Sequence, residues 1–564
     1  MKKRLIAFLL VSLMMFTFIV ACNGDTDDPA PPPTGNGDAT TAGDPPPPVD
    51  ETLDWIDLSM FIAGPGQPPG ANNEIVAMIE EATRTRIHFE FAVGDLDSRV
   101  GVMIAGGDFP PLIGAGQARA RFMESGSLLP LQDIIPLYPN LYEHFALYWD
   151  RLQFASPTDN IYIMDIWGRN YGEPFVGHGG PAFWTQKSVI TFNNDVIPQH
   201  LDDYFDMLYR YWQANPEIDG LTTLPFEILS YSWRSFCLKN APQHLMGRPN
   251  DGDVWVCHDT FYAKIYHDTP EAEYYYRTLN EMFHRGMISP ETFTRNYDEY
   301  LAVIASGRVL AMFDQQWNFA DGENILLADG RYERRYVPIG LTMPGVRQWY
   351  KEFPGFIGGN GMGIAVTATE EQVHRAMLFM DYVLSEEMTR LRTWGIYGRD
   401  FFIDENGRYR RTEEQRMTWD DPQWRIDNSA EALLNEFPKR QGQFSNGNMI
   451  DPTEQPEEML HNQNDFDREF LGRFGFQHRS DFLMDPPMQN PAYFPVWAFP
   501  RSEEVEDIFQ RFTEVLDQQL PRVIMADDFD AAWAHYMELL HAVPFHIWID
   551  DVNRQIAERM GITR

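Results

Sequence analysis

The groups in this chain that could attack a substrate, ligate a metal or carry protons are three cysteines, 14 histidines and 83 carboxylates. Their spacing builds no catalytic centre. The histidines do not fall at metal-ligand spacing: His258 and His267 stand nine residues apart, and His535 and His541 six. No HExxH, CxxC or GxSxG segment occurs. Carboxylates are so numerous that a pair suited to glycoside hydrolysis can be drawn anywhere, so abundance selects none. The segment GGNGMG, residues 358–363, has the glycines of a phosphate loop. It lacks the following Lys-Ser/Thr and leads into a strand-like run, so it reads as a flexible loop. No catalytic residue, metal or cofactor is expected, although an exported glycoside hydrolase stays the competing class.

Cys22 has a different context. Lys2, Lys3 and Arg4 open the chain, and residues 5–20 are apolar apart from Ser12 and Thr17. Ile19-Val20-Ala21 then puts small and aliphatic residues before the cysteine. This is the layout of a signal peptide, residues 1–21, and not of a fold element. Ile-Val-Ala-Cys resembles a bacterial lipobox, in which the cysteine sulfur takes a diacylglyceryl group and becomes the mature N-terminus. Lipidation at Cys22 is therefore expected, with the protein held on the extracellular face of the cell membrane. The alternative is an uncleaved anchor, for which the apolar run is a little short. Residues 22–51 are rich in Asp, Thr, Gly and Pro, cannot bury a core, and read as a tether.

The remaining length suits two or three domains. A formal net charge of −38 excludes nucleic acid as a partner. The 39 Phe, 24 Tyr and 15 Trp exceed what cores require and leave rings for a ligand. Cys237 and Cys257 can form a disulfide in an exported protein, or stay as two thiols. Ile56, Leu58, Met60 and Ile62 alternate as in a strand. Asn72 or Asn73 can cap a helix with Ile75, Met78, Ile79 and Ala82 on one face, and Ile87, Phe89, Phe91 and Val93 alternate again. Strand, helix, strand predicts a βαβ unit and an α/β fold with a parallel sheet. Further helices are predicted over 98–105, 202–212 and 272–283, and a short strand at 112–113. A strand is predicted over 363–367, followed by a helix opened by a Thr369–Gln372 capping box. Residues 412–495 predict loops and short helices, and three helices close the chain over 505–520, 528–541 and 547–560.

Several blocks, in order, resemble the extracellular solute-binding proteins of ABC importers (family 1), and among them the large LplA-like lipoproteins. They are IAGGDFPPLIGAG (104–116), SGSLLPLQDIIPLYPNL (125–141), TLNEMFHRGMISPETFT (278–294), YLAVIASGRVLAMFDQQWN (300–318) and WGIYGRDFFIDENGRYRR (394–411). The resemblance implies a two-lobed, periplasmic-binding-protein-like α/β fold with crossing hinge strands and a ligand cleft between the lobes. Lobe I is expected over 52–165 and 345–420, and lobe II over 166–344 and 421–564, with GGNGMG on the hinge side. It implies a monomer that captures a solute by lobe closure and hands it to a membrane permease. The same fold can serve a surface sensor.

The chain departs from the family pattern at three places. Pro111 stands where the turn often carries Asp. Gln186-Lys187-Ser188 replaces a basic–acidic pair. Residues 215–228, where some relatives carry a calcium loop, keep Asn215, Glu217, Asp219 and Gly220 but no acid again until Glu227, so a degenerate loop is expected. A sugar ligand needs aromatic faces and neutral polar groups. The segments near the implied cleft offer Trp184, Trp317 with Asn318, Trp497, Tyr171 in GRNYGEPFVGHGG, and Gln117 after the strand at 112–113. With no evident basic cluster, the expected ligand is an uncharged or weakly charged oligosaccharide, with a peptide as runner-up.

Overall fold

The computed structural model describes residues 53–563 except 65, 93–95, 155, 157, 159, 169–176, 352–356, 431–435 and 489. Cys22, the signal peptide, the tether and Tyr171 lie outside the described residues.

The alternating apolar residues form strand β1 (Ile56–Ile62). Asn73 caps helix α1 (Glu74–Thr83), its side-chain oxygen accepting the Val76 N–H at 3.1 Å. Arg84 ends that helix in the left-handed conformation, and β2 (Thr85–Phe91) returns parallel to β1 with Phe89 opposite Met60. Ile75, Val76 and Ile79 bury against Leu58, Met60 and Ile62, each contributing about 1.5–3 kcal/mol. Helix α2 (Leu96–Gly106) leads to β3 (Leu112–Gly114), also parallel to β1. On the opposite face Phe61 packs with Val100, Ile113 and Phe122. Both faces of the parallel strands are thus covered, as their apolar composition requires.

Strand β4 (Ile163–Gly168) closes the first half, and the chain leaves for a second sheet. There β5 (Pro181–Gln186) lies between β6 (Ala311–Gln315) and β7 (Tyr336–Ile339), antiparallel to both. Strand β8 (Ile357–Ile364) then re-enters the first sheet between β4 and β3, and β9 (Lys439–Arg440) joins its edge, giving the order β9-β4-β8-β3-β1-β2. The strand expected over 363–367 therefore starts earlier and absorbs GGNGMG, which is strand and not a loop. A Cβ on Gly361 would sit 2.5 Å from the Met164 carbonyl oxygen, and one on Gly363 would sit 2.9 Å from the Leu128 side chain. The glycines let the strand lie against its neighbours.

Two large cores follow. One holds Leu58, Met60, Met164, Ile364, Met377 and Met380. The other holds Phe183, Tyr204, Leu279, Met312 and Tyr336, together with Phe512, Leu520, Tyr536 and Ile556 from the three closing helices, Glu503–Met525, Phe529–Ala542 and His546–Met560. The Thr369–Gln372 capping box is formed as expected. Beyond 420 the chain contributes first to the first core. Ala430 and Phe437 bury in the first core, and Phe444 and Ile450 pack on Trp394 and Phe401. The chain has rejoined the second core by Phe470. A buried charge network fastens this later segment: Lys187 and Arg335 meet Asp467, and Arg335 and Arg479 meet Glu323.

The strand ends that the two connections between the sheets join lie next to each other. In the first sheet Gly168, the end of β4, faces Ile357, the start of β8. In the second sheet Pro181 starts β5 opposite Gln315, and Ile339 ends β7 opposite Phe183. Residues 169–180 and 340–356 therefore join the same pair of sheet ends, and β6 finishes at that same end of the second sheet.

Candidate functional site

Asp314, the penultimate residue of β6, is fully buried and collects donors. Tyr300 Oη donates to its Oδ2 at 2.5 Å, while Cys237 Sγ and the Gln315 N–H donate to Oδ1 at 3.1 and 2.6 Å. The Asn318 amide nitrogen donates to both oxygens, at 3.0 and 3.1 Å. Burial pushes the carboxyl up to about 6, and these donors oppose the rise. The neighbouring Cys237 thiol is driven well above its ordinary value by burial and by Asp314.

Asn318 lies on the first turn of helix α3 (Gln316–Ala328), four residues on from Asp314, so one buried acid fixes its orientation. Its side-chain oxygen accepts Arg234 Nη1 at 2.7 Å. The Arg234 guanidinium lies over the Trp233 ring, 4.2 Å from its centroid, and over the Tyr297 ring at 3.8 Å. Tyr297 Oη in turn donates to the Asn318 carbonyl oxygen at 2.8 Å. Trp233 stacks with Trp317, their centroids 5.9 Å apart and their planes 13° from parallel. Trp317 Nε1 donates to Gln315 Oε1 at 2.8 Å, and Phe236 tilts against the same ring. Trp233 and Trp317 remain 54% and 47% exposed, although large aromatic rings are usually covered. Tyr231 beside them is exposed as well. The result is an open, two-ring aromatic platform, held from below by a buried acid, at the sheet end where both connections enter. Such a surface can stack on the C–H face of a ring-shaped solute.

The expected site residues separate in the structure. Trp317 belongs to the platform. Asn318 adjoins it but is buried, and its amide is spent on Asp314 and Arg234, so it does not face a ligand. Trp184 is a core ring: His178 stacks on it, Phe319 meets it edge-on, Arg479 lies over it, and its Nε1 donates to the Asp314 carbonyl oxygen. No face of that ring is left exposed. Trp497, 52% exposed, sits elsewhere, on a 3-10 turn anchored by the Val496 N–H to Asp251 and packed on Gly252. Gln117 lies on the 3-10 turn after β3, but its side chain is outside the described residues, as is Tyr171. Sequence reasoning missed Trp233, Arg234 and Tyr297. The run YSWRSF, residues 231–236, has no apolar period, and Ser232 turns the chain there with φ 53°.

Glu217–Ile218 and Leu221–Thr222 pair as a hairpin whose turn, Asp219-Gly220, is left-handed at both positions. Glu227 is buried against Arg295 at 2.8 Å. Among the described residues no group of three or more His, Cys, Asp or Glu converges as a metal site. Cys237 and Cys257 are both free thiols, so the possible disulfide is not formed. A separate groove of about 700 Å³ lies between helices Glu413–Asp420 and Pro422–Asn428, lined by Glu413, Glu414, Met417, Thr418, Asp421 and Trp424. No helix among the described residues is long and apolar enough to cross a membrane.

Solved structures share this architecture at low sequence identity. The HMO-binding, ABC-transporter-associated solute-binding protein from Bifidobacterium longum infantis superposes with a TM-score of 0.64 and 13% identity, over 89% of this chain and 99% of that one. The S. pneumoniae ABC-transporter substrate-binding protein FusA, in complex with kestose, gives 0.60 and 15%, over 90% and 100%. The N-glycan transport solute-binding protein NgtS from Streptococcus pneumoniae gives 0.53 and 13%, over 90% and 99%. These likenesses establish the two-lobed, periplasmic-binding-protein-like fold. None of the curated proteins compared matches the sequence. A family model described as bacterial extracellular solute-binding protein matches residues 74–398, more than half of the chain, and this protein belongs to that family.

Proposed function

We propose that this protein is the ligand-binding component of an ABC importer, and that it captures an oligosaccharide on the Trp233–Trp317 platform and delivers it to a membrane permease. The observation that carries this reading is the pair of parallel, half-exposed indoles at the sheet end where the two connections enter. Water-facing aromatic rings held rigidly by a buried acid supply stacking area without an ordering cost at binding. Family membership and the sugar-binding solved relatives support the same reading.

In this reading lobe I comprises the first sheet with the residues up to about 450, and lobe II comprises the second sheet with the C-terminal helices. The lobes close on the ligand. Gln117, Tyr171 and Trp497 are further candidate contacts for the ligand. The chain works as a monomer, exported by residues 1–21 and tethered to the outer face of the membrane through lipidated Cys22. It performs no chemistry on its ligand.

Calorimetric titration against an oligosaccharide panel, with chromatography of each sugar afterwards, tests the proposal. Saturable binding with the sugar recovered intact is expected. Hydrolysed sugar would show an enzyme, and binding of peptides alone would overturn the ligand class.

A further inference from the structure

Among the described residues Arg234 has a neutral hydrogen-bond partner and no carboxylate partner. The chain carries 83 acidic residues against 45 basic ones, and other half-buried arginines near the second sheet are paired, Arg295 with Glu227 and Arg479 with Glu323. No carboxylate of the described residues pairs with Arg234. Its hydrogen bond within the protein is the one from Nη1 to Asn318 Oδ1. Its faces are taken by Trp233 and Tyr297, so only the guanidinium edge remains available, and the residue is partly exposed.

A guanidinium carries five N–H donors in one plane. Here one is spent on Asn318, and among the described residues no acceptor takes the others. Asp314 stands one amide away, behind Asn318, and balances the charge without consuming those donors. A planar cation with an open edge beside a stacking surface matches a ring that bears a planar anion, because the fork of N–H groups fits both carboxylate oxygens.

We propose that Arg234 is the specificity-determining residue of the platform, and that it selects an oligosaccharide in which the stacked sugar carries an ionised carboxylate. This inference rests on the carbohydrate reading above.

An arginine that merely held Trp233 in place would support neutral and acidic sugars alike, so the discriminating readout is a ratio. The test is calorimetry of the full-length protein with matched pairs: neutral oligosaccharides with their uronate-bearing counterparts, and a galacturonate trimer with its methyl ester, which keeps the shape and removes the charge. The wild type should bind the acid at least about tenfold more tightly than its neutral partner, the worth of one charge-assisted contact. Arg234→Gln should abolish that ratio while still binding the neutral sugar, and Arg234→Lys should retain part of it and become more salt-sensitive. Equal affinity of the wild type for acid and ester would overturn the inference and leave the carbohydrate reading standing, as would equal weakening of both by Arg234→Gln. Failure of every saccharide in the panel to bind would overturn both.

Discussion

Replacing Trp317 by Ala removes half of the proposed platform, and the expected loss can be worked from the structure. The residue is 47% exposed, and a tryptophan offers about 150–250 Å², so roughly 100 Å² of it is free for a ligand. Covering that area is worth ~2.5 kcal/mol at about 25 cal/mol per Å². A sugar ring lies against one face and covers about half of it, which leaves ~1.3 kcal/mol, or about tenfold in Kd. Trp233→Ala should weaken binding by a similar factor. Because the two rings stack at 5.9 Å, the double variant should depart from additivity. Calorimetry with a bound oligosaccharide measures all three, and thermal unfolding should show the variants folded, since both rings are half in water. If each single variant binds like the wild type, the indoles do not face the ligand and the site assignment is wrong.

Four further outcomes are expected. Burial pushes Asp251 up to about 7, against donors from Val496 and Tyr493. The folded chain therefore holds that proton more tightly than the unfolded one, and stability should fall by up to about 4 kcal/mol as pH rises from about 4 to about 7. Asp251→Asn should lose that part of the slope in urea unfolding at pH 4.5 and 7.5, and parallel curves for the two proteins would contradict the assignment. Lys187→Met leaves the buried Asp467 with one cation fewer and should cost about 3–5 kcal/mol in urea unfolding; a loss under about 1 kcal/mol would show that the network does not fasten the C-terminal segment. Gly361→Val places carbon against the Met164 carbonyl oxygen and should destabilise by about 1–3 kcal/mol or more, whereas an unchanged midpoint would restore the loop reading of GGNGMG. Cys22→Ser should abolish incorporation of labelled fatty acid, and equal labelling of variant and wild type would exclude the proposed anchor.

The strand–helix–strand start was readable because period two and period 3.6 are both explicit there, and Asn73 and Thr369 cap where their side-chain chemistry requires. The glycine-rich strand β8 was not readable: its glycines answer to neighbouring strands, a contact with no trace in local pattern. The two-residue strand β9 likewise gives no periodic signal. At the site, residue type identified rings but not their exposure. Trp184 and Trp317 look alike in sequence, yet His178, Phe319 and Arg479 enclose the first, while the second begins a helix at a sheet end. Asn318 adjoins the platform, and the buried Asp314 takes its amide, a contact that residue type alone does not reveal.

The most direct test of the central claim is a crystal structure of the protein with a bound oligosaccharide. The account predicts a sugar ring parallel to the Trp317 indole within van der Waals distance of it, between the two lobes, with the connections 169–180 and 340–356 adjusted to a closed form. A sugar bound instead in the groove beside Met417 and Trp424, with the Trp233–Trp317 faces left in solvent, would contradict it.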